Sequence, residues 1–146
     1  MSSDLLRRQA ATEATKHKYW NRAFDWKDGV TCVHLARFHL RQMGHRPEPM
    51  PRVRSLVGAK RALAERGCAN VVQLLDRQAT LTRIAPAFMT MGDLAAVASE
   101  DGLGSIFICM GPQKLMGWHD AGADFGITGM CNVTIPFDVL DGAWSL

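Results

Sequence analysis

The sequence predicts an α+β domain in which N-terminal helices pack on a small antiparallel sheet. Three observations carry this. Apolar positions at helical spacing dominate the chain up to Gln78, whereas short apolar runs broken by Gly, Pro and Asp turns dominate after it. Those runs follow one another without long helices between them, which argues against βαβ crossovers and a parallel sheet. At 146 residues, 47% hydrophobic and 21% charged, the chain has the size and apolar content of one domain with a sizeable core.

In chain order, residues 4–18 read as a helix. Asp4 lies near its start and Lys16, His17 and Lys18 near its end, where each sign of charge suits the helix dipole. This N-terminal helix (1–19) precedes the main domain (20–146). Tyr19, Trp20, Phe24 and Trp26 then cluster within a few residues. Such a cluster walls either a core or a cleft, and the core is the simpler assignment. Thr31 is placed to cap a helix beginning at Cys32, whose buried face carries Cys32, Leu35, Ala36, His39, Leu40 and Met43, with Gly44 closing it. Residues 45–51 hold three prolines and form a stiff extended connector. Ser55 opens the next helix, with Leu56, Ala59, Ala62 and Leu63 inward and Gly67 as its stop. Asn70 caps a short helix carrying Val71, Val72, Leu74 and Leu75.

Beyond Gln78 the period changes. Residues 81–84 alternate like a strand, and residues 85–88 lead into a turn at 89–93. Residues 94–98 and 105–110 are apolar strands, separated by the acidic, Gly-containing loop 99–104. Residues 114–119 and 130–135 read as further strands and residues 136–140 as a helical turn. Residues 143–146 read as a last, edge strand.

Cys32, Cys68, Cys109 and Cys131 are widely spread with no CxxC pair, so metal-ligand spacing is absent and no metal or cofactor is expected. The start of the chain has no basic-then-apolar signal pattern, and no apolar run has the length of a membrane span. Synthesis in a cytoplasm without stable disulfides is the expectation. The net charge of +3 hides an asymmetry. Residues 1–83 hold 16 Lys/Arg against 7 Asp/Glu, and residues 84–146 hold 1 against 7. A basic helical half can attract an acidic partner. Its cations are scattered over several helices without interleaved aromatics, however, so a nucleic-acid surface is only weakly signalled and solvated helix faces are the simpler assignment.

Cys32 admits two readings. A thiol at a helix start feels the positive end of the dipole, which favours the thiolate and suits a nucleophile. A small, buried, inert packing residue is the other.

Taken together, an aromatic-rich loop, a Cys at a helix start, Gly92-Asp93 before an apolar strand, and a second apolar strand ending in Gly111 resemble the NlpC-type branch of papain-like cell-wall peptidases. More closely, the chain resembles a small family of such domains from tail gene clusters of siphophages and prophages. The matching residues are Trp26 with Thr31-Cys32, the Arg-rich Arg52-Val53-Arg54-Ser55, Ala87 with Gly92-Asp93, and the final Ala143-Trp144. The resemblance implies a papain-like fold with Cys32 as nucleophile. It also implies a His at the opening of the strand that follows the Gly-Asp strand, where this chain has Ser105, and an Asp before the Cys, where it has Thr31. His119 on the next strand is the candidate displaced base. His34 points to a different face from Cys32, and His39 lies two turns away.

Two functions follow as expectations. The first is a structural module of a phage tail tip, hub or baseplate with a degenerate peptidase site. It would be assembled in the host cytoplasm and carried in the virion, with other tail proteins as partners. The second is a cysteine endopeptidase that cleaves peptidoglycan peptides during DNA entry, with Cys32 as nucleophile and His119 as base.

Overall fold

The computed structural model describes residues 3–118 and 130–146. Four helices come first: α1 (Ser3–Tyr19), α2 (Cys32–Gln42), α3 (Leu56–Glu65) and α4 (Val71–Asp76). Six strands follow: β1 (Thr82–Ile84), β2 (Leu94–Val97), β3 (Ser105–Gly111), β4 (Lys114–Gly117), β5 (Cys131–Thr134) and β6 (Gly142–Ser145). This is the expected α+β architecture.

Local chemistry sets the helix starts. Thr31, Ser55 and Asn70 are extended, and the side-chain oxygen of each accepts the amide N–H three residues on. The distances are 3.3 Å from His34, 3.0 Å from Gly58 and 3.0 Å from Gln73. Gly44 and Gly67, just beyond α2 and α3, have φ of +88° and +73°, the left-handed conformation that glycine adopts without a Cβ clash.

The strands form one sheet in the order β1-β6-β2-β3-β4-β5, with every neighbouring pair antiparallel. The last strand is therefore not an edge. β6 sits between β1 and β2, with Ala143 opposite both Ile84 and Ala95. Trp144 explains the inward position. It is 1% exposed, its indole N–H donates to Asp76 Oδ1 at 2.8 Å, and the Arg83 guanidinium lies 4.7 Å from its ring centroid. Gly142 leaves room for this stack, since a Cβ there would come within 2.7 Å of the Trp144 ring.

Both faces of β2 and β3 are covered, so these strands read as continuous apolar runs. Leu94, Ala96, Ile106 and Ile108 join the main core with the helices, whereas Ala95, Val97, Phe107 and Cys109 join a smaller cluster with Leu115 and Ile135. No described helix is long and apolar enough to cross a membrane.

Two buried polar groups tie the helices to the sheet. His39 of α2 donates from Nε2 to Gly92 O at 2.8 Å, and its Nδ1 shares a 2.9 Å hydrogen bond with the Thr15 hydroxyl. Arg8 of α1 meets Asp93 at 2.7 Å. The Gly92-Asp93 turn is thus a structural junction between helices and sheet.

Candidate active site

The loop before α2 sets the site. Asp25 and Val30 exchange two backbone hydrogen bonds of 2.8 Å, which closes residues 25–30 into a small hairpin. Phe24 packs edge-on against Trp26 and Trp118, with centroids 5.4 and 5.9 Å away. Trp118 is anchored by its indole N–H to Arg22 O at 2.8 Å and by the Tyr19 ring at 6.0 Å. The aromatic cluster therefore does both jobs considered from sequence. Tyr19 and Trp118 are core, while Phe24 and Trp26, half-buried, wall a cavity of about 220 Å³.

Cys32 lines that cavity and is 4% exposed. Ser105, the first residue of β3, lines it too, together with Glu100 and Asp101 of the preceding loop. The sulfur lies 4.0 Å from Gly104 O, so the first turn of α2 abuts the start of β3. The loop is braced from within. Asp101 accepts from the Ser99 hydroxyl at 2.5 Å and from Leu103 N–H at 2.9 Å, and Gly104 N–H donates to Ser99 Oγ at 2.8 Å. Gly104 has φ of +88°, and a Cβ there would meet Val71 Cγ2 at 2.8 Å, so glycine is required immediately before Ser105.

Electrostatics oppose a nucleophile. Burial pushes the Cys32 thiol up to about 11, and the Asp101 carboxylate adds to the rise. Backbone N–H groups of Ile106, Cys32 and Val33 act the other way without reversing it. The helix start therefore does not deliver the thiolate that its dipole alone would favour.

Among the described residues no histidine lines the cavity. His34 shares a 2.7 Å hydrogen bond between Nδ1 and the Thr31 hydroxyl, which reinforces the helix cap. His39 is locked in the core, and His45 bonds Thr80 Oγ1 at 2.8 Å. His119 lies outside the described residues. Thr31, standing where the resemblance implies Asp, is fully occupied as the cap of α2. All four cysteines are free, and no group of described His, Cys, Asp or Glu could hold a metal ion. Glu100 and Asp101 were not singled out from sequence as site residues. Their signal was the Ser99-x-Asp101 turn immediately before the position where the resemblance implies His.

A family model described as a domain of unknown function, DUF6950, matches residues 5–144. The chain belongs to the DUF6950 family. No curated protein matches it. Among solved structures, the NlpC/p60 domain of the peptidoglycan hydrolase SagA is similar, with a TM-score of 0.58 and 17% sequence identity. The match covers 94% of this chain and 97% of that one. At that identity the likeness is one of fold, and this DUF6950 chain has a papain-like, NlpC-type fold.

Proposed function

We propose that this DUF6950 chain is a peptidase fold without hydrolytic chemistry, serving as a structural module of a phage tail tip or hub. One observation carries the loss of chemistry: the buried Cys32 thiol shares its cavity with Ser105, which stands where the resemblance implies His. A serine hydroxyl cannot take a thiol proton at neutral pH, whereas imidazole can. The tail assignment rests on the ordered motifs Trp26…Thr31-Cys32, Arg52-Val53-Arg54, Gly92-Asp93 and Ala143-Trp144, and on the opposite charges of the two halves, which suit docking between neighbouring tail proteins. A peptidoglycan peptide is the candidate occupant of the cavity, held rather than cut.

The test is incubation of the purified chain with peptidoglycan stem peptides, followed by assay for new amino termini. No turnover is expected, and none is expected from Cys32→Ala. Turnover that is lost in both Cys32→Ala and His119→Ala would overturn this proposal in favour of an active cysteine endopeptidase.

A further inference from the structure

The hairpin loop that sends Phe24 and Trp26 to the Cys32 cavity sends Lys27 and Asp28 to a second cavity of about 390 Å³. Six cations surround this cleft. Lys18 comes from the end of α1, Lys27 from the loop, and Arg37 and Arg41 from adjacent turns of α2. Arg52 and Arg54 come from the segment between the connector and α3, flanking Val53, whose inward position turns both arginines outward. The cleft contains one carboxylate, Asp28.

What sets these cations apart is their convergence on one cavity. Arg7, Arg8, Arg66, Arg77 and Arg83 are each in an ion pair, and among the described residues none of the six cleft cations is. Arg37 Nε is buried with no hydrogen-bond partner. The field is also felt by His34 on the cleft wall. Burial first, and then Arg37 and Lys18, hold its pKa below the ordinary value. Converging like charges destabilise the compact state unless a counter-charge relieves them.

We propose that this cleft binds a small ligand carrying two or more phosphate groups. A phosphate brings roughly −1.5 to −2 charge and three acceptor oxygens, so two or three would neutralise the cleft. Carboxylates carry half that charge per group and would have to crowd into the same volume. Guanidinium forks match phosphate oxygens in pairs, and the cavity lies within the range of about 300–1,000 Å³ typical of small-molecule sites. None of the six cations lines the Cys32 cavity, so this site and the peptidase reading stand or fall separately.

The test is calorimetric titration of the full chain with inorganic tripolyphosphate, alongside thermal unfolding. Saturable one-to-one binding with a raised Tm is expected. Arg37→Gln/Arg41→Gln should weaken it about tenfold or more, as should Arg52→Gln/Arg54→Gln, whose side chains are exposed and safe for folding. Lys60→Gln/Arg61→Gln removes the same charge from α3 outside the cleft and should change affinity less than about twofold. Absence of saturation would overturn the proposal. So would equal weakening by the α3 pair, which would mark diffuse attraction, or citrate binding as tightly as tripolyphosphate, which would mark a carboxylate site.

Discussion

At Cys32 two effects compete, and their sizes decide the outcome. A helix start contributes on the order of 0.3–2 kcal/mol toward the thiolate, at most about one and a half pKa units. Burial drives the thiol up to about 11, so desolvation exceeds the dipole and every nearby N–H group combined. The expected consequence is kinetic. Alkylation of Cys32 by iodoacetamide should be slow at neutral pH and should rise about tenfold per pH unit, levelling only near pH 11. Ser105→His restores a proton acceptor to the cavity and should raise the neutral-pH rate by about tenfold or more. Fast alkylation of the parent chain at pH 7, with no further rise, would show a thiolate already present and refute the account.

Among the elements, what the sequence disclosed depended on how local the cause was. The caps Thr31, Ser55 and Asn70 act over three residues, and all three helices begin where those residues place them. Strand order is not local. Nothing in Ala143-Trp144 announces insertion between β1 and β2, and the partner that draws Trp144 inward, Asp76, is 68 residues away. The basic cleft was hidden for the same reason, since its cations come from α1, a loop, α2 and the segment before α3. His39 shows an element-scale effect that can be measured. Burial holds its pKa near 4 against an ordinary 6.5, outweighing the hydrogen bond to Gly92 O, which acts to raise it. As pH falls below about 6.5, the unfolded chain takes up the proton first, so the stability from a neutral His39 is full above that pH and is lost as pH falls to about 4. The loss should approach roughly 3 kcal/mol. Urea unfolding across this range should show a steeper decline for the parent chain than for His39→Gln. Parallel declines would remove His39 as the cause.

At the scale of the whole molecule, one guanidinium of α1 is the hub of a buried polar junction with the sheet. Arg8 Nη1 donates to Asp93 Oδ1 at 2.7 Å and to Met91 O at 3.2 Å, its Nη2 donates to the main-chain oxygen of Leu146 at 2.7 Å, and its Nε donates to Asp4 at 3.0 Å. Asp93 also accepts from Leu146 N–H at 3.2 Å and from Thr90 N–H at 2.9 Å. The two ends of the described chain and the entrance to β2 thus converge on one buried pair. The Gly-Asp motif was legible in the sequence, but its partner, 85 residues away, was not. A pair this buried need not make the fold more stable than an apolar replacement would, yet removing one member leaves the other uncompensated. Asp93 is 1% exposed, so Arg8→Met should strand its carboxylate and cost about 3–5 kcal/mol in urea unfolding. Arg8→Lys keeps the charge but loses the fork that reaches Met91, Asp93 and Leu146 together, so its cost should fall between the parent and Arg8→Met. A change below about 1 kcal/mol for Arg8→Met, the scale of an exposed ion pair, would mean that α1 is an appendage whose junction does not support the sheet.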